Sequence, residues 1–256
     1  MRDEYVGDIG DFGKYILLKE LSAHDGIRLG VNWYYNMRPE GAHAYLSSSN
    51  KDEFRRLDRE LFGQMQDVVH PYKRTVRQIE QSGILPNATL YYREPIPSSA
   101  TKPAIREKER MGWFEDSLKA LAGADVVFLD PDNGIPYPRQ DNSNIEVPRI
   151  GKGNRDAVRY AYADEIKTYY DRGKSVIVYS HRDMKPEHVY LNKISLLRAY
   201  VSPSDGKILI LRFKRFSIRD YLIIPQNNRL ILMNQLVEKL TGPFGFLFDH
   251  LRWRDF

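Results

Sequence analysis

The segment from Ala124 to Gly134 constrains the fold of this chain more than any other. Val126 to Leu129 is an unbroken apolar run with β-branched members, which is typical of a strand buried on both faces of a parallel sheet. The run ends at Asp130, and Pro131 and Gly134 predict a sharp turn directly after it. The sequence therefore predicts a central strand whose carboxyl end carries polar side chains.

A second apolar run, from Lys174 to Ser180, also leads into polar residues, the first of which is His181. Between the two runs, residues 156–172 contain good helix formers and apolar positions at helical spacing. A strand–helix–strand unit of this length makes a right-handed parallel crossover. Adjacent strands lie roughly 5 Å apart, so Asp130 and His181 are expected to face one cleft, at the edge where open α/β sheets bind ligands.

These elements predict an α/β fold, a three-layer sandwich with a mostly parallel central sheet and a C-terminal antiparallel hairpin strand. The 256 residues are expected to form a single domain over 1–256, with a helical insertion at about 40–85. Residues 132–154, rich in Pro, Gly and Asn, predict a long loop that is either functional or mobile. The other predicted elements are helices at 11–23, 104–122 and 228–240, strands at 27–35 and 89–93, and a hairpin at 207–224.

Composition narrows the function classes. With no cysteine, the chain has no disulfide, no cysteine-held zinc or iron–sulfur site and no thiol nucleophile. It has no apolar run of about eighteen residues, so no membrane span is predicted, and its first residues lack the apolar segment of a secretion signal. These features predict a cytoplasmic protein. The net charge of +5 and the 17 tyrosines favour a nucleic-acid partner, because basic and aromatic side chains together hold phosphates and stack bases.

The turn after the central strand and the tip of the second apolar run supply the candidate catalytic residues. A carboxylate can orient and deprotonate water, and a histidine or an amide can stabilise a leaving group. This set favours hydrolysis, with no cofactor and no metal ion. The alternative is a polar loop in which Asp and Asn only build an Asx-turn. The candidate catalytic residues are Asp130, Asp132, Asn133 and His181.

The segment Gly7–Tyr15 has glycines at three-residue spacing with acidic residues between them. Glycine permits close backbone approach to a ligand, and Asp11 can also cap the helix that follows. Because no strand precedes the glycines, they do not form a dinucleotide-binding motif. The alternative is a capped helix start with tight packing. The candidate substrate-binding residues in this segment are Asp8, Asp11, Lys14 and Tyr15.

Two further groups complete the predicted substrate surface. Asn32, Trp33 and Tyr34, at the tip of the first strand, offer an amide and stacking aromatic rings, unless they form an aromatic core cluster. Basic residues that follow the strand ends are predicted to contact phosphates, unless they are ordinary solvated charges. These basic residues are Arg182 and Lys185, with Arg139 and Arg149 in the long loop.

The order of these pieces resembles the class I methyltransferase fold, particularly the bacterial adenine-N6 methyltransferases that act on ribosomal RNA. Gly10-Asp-Phe-Gly-Lys-Tyr15 is similar to that family's N-terminal Asn/Gly-X-Ala-Asp-X-X-Lys-His element. Asp130-Pro-Asp-Asn133 stands where the family has Asp-Pro-Pro-Tyr, and the hairpin at 207–224 suits the fold's last two strands. The resemblance implies S-adenosylmethionine-dependent methylation of adenine in nucleic acid.

Two departures from that family put methyl transfer in second place. The glycine-rich loop that holds S-adenosylmethionine after the first strand is absent, and the bulky segment Asn32-Trp-Tyr-Tyr35 stands in its place. The Pro and Tyr that position the target adenine in that family are replaced by Asp132 and Asn133. We therefore expect a related architecture whose cofactor pocket is lost.

The Asp130-Pro131 turn also resembles the water-activating motif of uracil-DNA-glycosylase-like enzymes, and Ser180-His181-Arg182 resembles their second motif, which contacts the leaving base. The spacing of about fifty residues is smaller than is usual in that superfamily. The resemblance implies a DNA glycosylase that flips a base out of duplex DNA and cleaves its N-glycosidic bond with an Asp-activated water. Cysteine-free α/β glycosylases of this size occur in anti-phage defence, so the resemblance also implies an antiviral role.

Two other function classes stay open at this point. A Mg²⁺-dependent nuclease would use Asp8, Asp11, Asp130 and Asp132 as hard oxygen ligands. A catalytically inactive nucleic-acid-binding module would use the same carboxylates only to cap a helix and close turns. Loss of activity in EDTA marks the nuclease, bound S-adenosylmethionine the methyltransferase, and alkali-labile abasic sites the glycosylase.

Overall fold

The computed structural model of the protein describes residues 1–38, 51–69 and 74–252. The strands are β1 (Leu29–Asn32), β2 (Leu90–Tyr92), β3 (Val126–Leu129), β4 (Pro138–Gln140), β5 (Glu146–Pro148), β6 (Ser175–His181), β7 (Leu209–Phe213), β8 (Arg219–Ile224) and β9 (Phe248–Leu251). The helices are α1 (Ile9–Ser22), α2 (Lys51–Leu57), α3 (Arg59–Val69), α4 (Val76–Gln81), α5 (Pro103–Ala120), α6 (Ala163–Asp171), α7 (Glu187–Val201) and α8 (Leu230–Thr241). Short 3-10 helices lie at Asp3–Tyr5, Arg155–Arg159 and Asn227–Arg229.

Seven strands form one sheet in the order β2–β1–β3–β6–β8–β7–β9. The first four are parallel neighbours, whereas β8 runs antiparallel to both β6 and β7, and β9 runs antiparallel to β7. This is the mostly parallel sheet with a C-terminal antiparallel hairpin that the sequence predicts. The three strands expected to be neighbours, β1, β3 and β6, are adjacent. Strand β9 was not predicted from the sequence, because its residues Asp249 and His250 interrupt the apolar pattern of a strand.

Helices cover both faces of this sheet. Side chains alternate along β3, so Val126 and Phe128 belong to the core shared with α1, α3 and α8. Val127 and Leu129 belong to the core on the opposite face, shared with α5, α6 and α7. All four residues of β3 are buried, which explains the continuous apolar run. The fold is therefore a three-layer α/β sandwich, as expected.

Two element boundaries near the cleft differ from the sequence prediction. Strand β1 ends at Asn32, earlier than predicted, because Tyr34 adopts φ 44, a left-handed conformation that interrupts an extended strand. Helix α1 begins at Ile9, and its N-cap is Asp8 instead of Asp11. The Asp8 Oδ1 atom accepts a hydrogen bond from the Asp11 N–H at 2.8 Å, which satisfies a backbone donor of the first turn.

The segment between β3 and α6 has more structure than its composition predicts. The expected loop at 132–154 contains the antiparallel pair β4 and β5, which forms a small separate sheet. The helix expected at 156–172 is divided into the 3-10 helix Arg155–Arg159 and helix α6, which begins at Ala163. Cross-strand hydrogen bonds and a capped 3-10 helix therefore give this connection a regular local structure.

Three helices, α2, α3 and α4, lie between β1 and β2, where the sequence predicts a helical insertion. The remaining parts of that insertion, residues 39–50 and 70–73, lie outside the described residues. Among the helices of the described ranges, none combines the length and apolarity needed to cross a bilayer.

Candidate functional site

The carboxyl ends of β3 and β6 open into one cavity of about 330 Å³, which we call the carboxylate cavity. Parallel pairing of Leu129 with Val178 brings the two strand ends together, so that Asp130 and His181 face the same space. The start of α1 and the turn before β8 close its other sides. The lining residues are Met1, Tyr5, Asp8, Gly10, Asp11, Lys14, Asp130, Pro131, Asp132, Asn133, Tyr179, His181, Ser217 and Arg219.

Lys14 joins two buried carboxylates in this cavity. Its Nζ atom donates to Asp11 Oδ1 at 2.7 Å and to Asp130 Oδ2 at 2.8 Å. The three side chains are at most 4% exposed. Asp11 Oδ2 accepts a further hydrogen bond from the Gly7 N–H at 2.9 Å. Asp130 Oδ1 accepts no hydrogen bond from the described residues, so this oxygen is available to a water molecule or a substrate group.

The electrostatics of this trio suit proton transfer. The pKa of Asp11 is raised to about 6, chiefly because burial penalises the charged carboxylate. Attraction to Lys14 lowers this pKa, and repulsion from Asp8 and Asp130 raises it. Burial opposes the charge of Lys14, but the carboxylates of Asp11 and Asp130 hold the pKa of Lys14 well above its usual value. A carboxyl group that titrates near neutral pH beside a permanently charged ammonium can take up and return a proton.

Asp132, a candidate catalytic residue, is hydrogen-bonded through one oxygen and ion-paired through the other. Its Oδ2 accepts from Arg2 Nε at 2.8 Å and from Asn36 Nδ2 at 2.7 Å, and its Oδ1 lies 3.1 Å from the amino nitrogen of Met1. Burial alone would raise the pKa of Asp132, but the Met1 amino group, Arg2 and Asn36 lower it below its usual value. Asp132 therefore stays ionised, and its contacts hold the turn that follows Asp130.

Met1 fills the space between the carboxyl ends of β1 and β3. Its amino nitrogen donates to the carbonyl oxygens of Trp33 at 2.9 Å, Tyr34 at 3.3 Å and Asp130 at 2.6 Å. The residue is buried, and its sulfur atom lies 3.7 Å from Lys14 Nζ. In open α/β sheets this gap between strand ends is a common ligand position. Here a residue of the chain occupies it, and the open space lies between β3, β6 and α1.

The glycines of the N-terminal segment serve packing against the hairpin. A Cβ atom on Gly10 would lie 0.8 Å from Arg219 Nη1, and a Cβ atom on Gly13 would lie 2.4 Å from Phe213. The absence of a side chain at Gly10 lets the Arg219 guanidinium lie against α1 and donate to Asp8 Oδ2 at 2.9 Å. Gly10 and Gly13 therefore fit the alternative interpretation of this segment, a capped helix start with tight packing.

His181 lies at the junction of the carboxylate cavity and a second cavity of about 430 Å³. Its imidazole makes no hydrogen bond or ion pair within the described residues. Burial and the charge of Arg219 lower the pKa of His181, and the carboxylate of Asp183 opposes this only in part. Asn133 lines both cavities as well, and its amide donates to Tyr160 Oη at 3.3 Å.

The second cavity, which we call the lysine cavity, is basic and aromatic. The Nζ atoms of Lys185 and Lys193 lie 5.0 Å and 4.5 Å from the centre of the Tyr137 ring. Tyr137 Oη donates to Asp183 Oδ1 at 2.7 Å, which engages the carboxylate at this wall. The lining residues are Asn133, Ile135, Tyr137, Arg149, Ile150, Tyr160, His181, Asp183, Lys185 and Lys193.

A buried ion pair supports the wall of the lysine cavity. Arg110 Nε donates to Glu165 Oε1 at 2.7 Å, and both side chains are 1% exposed. The same guanidinium donates to the carbonyl oxygens of Ala157 at 2.9 Å and Tyr160 at 2.7 Å. Arg110 therefore ties α5 and α6 to the segment that carries Tyr160 into the cavity.

Four of the predicted substrate-binding residues lie in the core and do not line either cavity. Trp33 stacks on Tyr91 on one face of the sheet, and Tyr34 meets Trp113 edge-on on the other face. The Asn32 side chain accepts the Tyr34 N–H at 3.1 Å and so closes the turn between them. The core-cluster alternative therefore holds for this segment. The four buried residues are Tyr15, Asn32, Trp33 and Tyr34.

Of the four predicted phosphate contacts, two line the lysine cavity, Arg139 is exposed on β4, and Arg182 is engaged in an ion pair. Lys185 and Arg149 line the lysine cavity. Arg182 does not, because its Nη2 atom donates to Glu187 Oε2 at 2.8 Å and its guanidinium lies 4.7 Å from the centre of the Tyr190 ring. The Arg182 side chain is therefore held in an ion pair with Glu187.

Tyr179, Lys193 and Arg219 are among the cavity residues that were not predicted from the sequence. Tyr179 lies within a strand whose pattern predicts only core, and Lys193 lies in the middle of α7. Arg219 could have been found, because it begins an antiparallel strand and such a strand starts at the edge where its parallel neighbour ends. No pattern in the chain marks Lys193, since helix periodicity alone does not place it in a cavity.

Comparison with models of known protein families gives no match, and a search of curated proteins gives no significant match.

Proposed function

We propose that the protein is a hydrolase acting on nucleic acid, and that it cleaves the N-glycosidic bond of a base in duplex DNA. The observation that carries this proposal is the junction of the two cavities at His181 and Asn133. A polar cavity with proton-transfer groups adjoins a cavity of cations and aromatic rings. A nucleotide has the same two parts, a polar base and an anionic backbone, joined at the sugar.

The chemistry follows from the free groups in the carboxylate cavity. Asp130 Oδ1 orients a water molecule and takes its proton as the water oxygen bonds to the sugar C1′. The bond between C1′ and the base nitrogen breaks, and its electron pair goes to the base. The lowered pKa of His181 keeps its imidazole neutral, so an N–H of the ring donates a hydrogen bond to the departing base anion. The proton that Asp130 has taken then passes to the base anion, which leaves as the neutral base and restores the carboxylate.

An aromatic ring for the extruded base comes from β6. Tyr179 lines the carboxylate cavity two positions before His181 on the same strand, and therefore on the same face of the sheet. It takes the stacking role that the sequence assigns to Trp33 and Tyr34. A base that leaves the duplex needs a pocket with polar groups for its edge and an apolar surface for its ring.

The test is base release from duplex DNA. Duplexes with unmodified and modified bases are incubated with the protein, and released bases are identified by mass spectrometry. The wild type should release a base and leave an alkali-labile site, and Asp130→Asn should lower the rate by about 10²-fold or more if general-base chemistry is involved. Asp125→Asn is the matched control, since Asp125 precedes the same strand at its other end and pairs with Arg229 at 2.5 Å.

The outcomes separate the function classes. Base release by the wild type that is unaffected by Asp130→Asn would remove Asp130 from the mechanism. DNA binding with no released base from any duplex would retire the glycosylase proposal in favour of a non-catalytic nucleic-acid-binding module. Strand cleavage that EDTA abolishes would favour the nuclease, although Lys14, Arg2 and Arg219 neutralise the carboxylates that a Mg²⁺ site needs. Among the described residues, no three histidine or acidic side chains are arranged as metal ligands.

Methylation of adenine N6 with S-adenosylmethionine is the second candidate. Antiparallel β8, inserted between β6 and β7, favours it, because that hairpin suits the last two strands of the class I methyltransferase fold. The position of Met1 between the ends of β1 and β3 argues against a cofactor in that gap. Calorimetric titration with S-adenosylmethionine tests this candidate, and saturable binding at micromolar concentration would favour it over hydrolysis.

A further inference from the structure

Lys193 is a buried cation without an anionic partner. Its side chain is 3% exposed, and within the described residues no carboxylate oxygen lies within ion-pairing distance of its Nζ atom. Its hydrogen bond, to the Ile135 carbonyl oxygen, is long at 3.4 Å, and the rings of Tyr137 and Tyr190 flank it at 4.5 Å each. Lys14 is equally buried but is held by two carboxylates. A buried ammonium normally has such a partner, because its desolvation is costly.

We infer that the lysine cavity binds a backbone phosphate of the nucleic acid, with Lys193 as the buried ligand and Lys185 and Arg149 as ligands at the rim. The inference rests on the proposed function and adds to it the place where the phosphate next to the reacting nucleotide sits. The three cations face one carboxylate, Asp183, whose Oδ1 is already engaged by Tyr137 and by the Lys185 N–H. The lining of the cavity therefore carries more positive than negative charge.

The charged groups around Lys193 make this binding dependent on pH. Burial lowers the pKa of Lys193 to about 8, and the charge of Arg182 contributes to this lowering. The carboxylates of Asp183, on the β6–α7 connection, and Asp220, on β8, act in the opposite direction and raise this pKa. His181 on β6 faces the same cavity with a lowered pKa of its own. A phosphate bound at Lys193 would favour the charged ammonium, so binding should take up a proton above about pH 8.

The test uses a deoxydinucleoside monophosphate, whose single phosphodiester keeps one negative charge at every pH used, and its uncharged methylphosphonate analogue. Binding is measured by calorimetry. At pH 7 the wild type should bind the charged probe at least about tenfold more tightly than the analogue, and Lys193→Met should remove this difference. Lys119→Met, a change at a 75% exposed lysine of α5, should leave it unchanged.

The pH profile and the folding control complete the design. Wild-type affinity for the charged probe should fall about tenfold from pH 7 to pH 9, while Lys193→Arg, which stays charged, should show no such fall. Lys193→Met should unfold at the same temperature as the wild type or higher, because it removes an unpaired buried charge. If that variant does not fold, the wild-type profile and Lys185→Met, at the rim, decide instead.

Equal binding of both probes by the wild type, or a charged-probe affinity unchanged in folded Lys193→Met, would overturn the inference. Tighter binding of a free deoxynucleoside 5′-monophosphate than of the dinucleoside would also overturn it, since a mononucleotide would then be the ligand. These results are independent of base release. Probe binding without base release would leave the phosphate site standing and retire the glycosylase, and base release without selective probe binding would do the reverse.

Discussion

Lys14 Nζ donates to Asp130 Oδ2 at 2.8 Å, although 116 positions separate the two residues in the chain. The contact joins the first turns of α1 to the end of the central strand β3, and both residues line the carboxylate cavity. Its geometry leaves one oxygen of Asp130 free, which is the group that the proposed water activation uses.

Replacing Lys14 should test how much this contact stabilises the fold. Lys14→Met removes the cation shared by Asp11 and Asp130 and leaves two buried carboxylates facing each other. We expect the free energy of unfolding to fall by about 3–5 kcal/mol at pH 7. Denaturant titration measures it. Lys19→Met on the same helix, where the lysine is 34% exposed and pairs with Asp58, should cost below about 1 kcal/mol. Similar losses in both variants would contradict the prediction.

Asp11 should make stability fall as pH rises through mildly acidic values. Its folded pKa, about 6, lies above the ordinary value of 3.8, so the folded state binds the proton more tightly. The stability contribution of this group is therefore present while the proton is bound and is lost as pH rises from about 4 to about 6, by about 1–3 kcal/mol. Denaturant titration from pH 4 to pH 7.5 should show this decline in the wild type relative to Asp11→Asn. Parallel curves for the two proteins would show that Asp11 is not the group responsible.

Gly10 should be needed for the position of Arg219. Gly10→Ala places a methyl group where the Arg219 guanidinium lies, so the guanidinium must move and its ion pair with Asp8 must break or lengthen. We expect a loss of about 1–3 kcal/mol in unfolding free energy and a large shift of the Arg219 Nε–H resonance. Gly112→Ala, in the middle of α5 with open space around it, should instead stabilise by about 0.5–1 kcal/mol. An unmoved Arg219 resonance in Gly10→Ala would refute the steric argument.

Arg110 should not tolerate lysine. The guanidinium binds both oxygens of Glu165 and two backbone carbonyl groups in a fully buried position, and an ammonium cannot reproduce this planar fork. Arg110→Lys should lower the free energy of unfolding by about 2–4 kcal/mol. The reverse exchange at an exposed position of the same helix, Lys108→Arg, should stay within about 0.5 kcal/mol. Thermal unfolding of both variants compares them directly, and equal melting temperatures would count against the role of the ion pair.

The strands around the cleft were predictable because their signal is local. The apolar run before Asp130 and the run before His181 each fix a buried strand, and the helical segment between them fixes a parallel crossover. Parallel strands end at the same edge, so the meeting of Asp130 and His181 in one cavity follows from the pattern alone. The glycine spacing of the N-terminal segment marked Asp8, Asp11 and Lys14 only as candidates, because their contacts with Asp130 and Arg219 depend on how α1 packs against the sheet.

The burial of the side chains after β1 was not predictable, because it depends on which elements pack on each face of the sheet. Trp33 and Tyr34 continue the alternation of β1, so their side chains lie on opposite faces of the sheet, and each is buried in the core on its own face. Aromatic residues at a strand tip look alike in sequence whether they line a cleft or fill a core, since the apolar surface is the same in both cases. Only their tertiary neighbours decide between the two.

By itself, the sequence determined the α/β class, the parallel arrangement around β3 and the edge at which polar groups gather, because hydrophobic periodicity and turn residues act over short stretches. The tertiary structure alone decided which carboxylates are neutralised and which cations are left without a partner. Asp132 and Asp130 lie two positions apart in the same turn, yet Asp132 pairs with the Met1 amino group and Arg2, whereas Asp130 pairs with Lys14. Lys14 and Lys193 are both buried lysines on helices, yet only Lys14 has carboxylate partners. Charge and pKa depend on atoms brought from distant parts of the chain, and no local pattern encodes that distance.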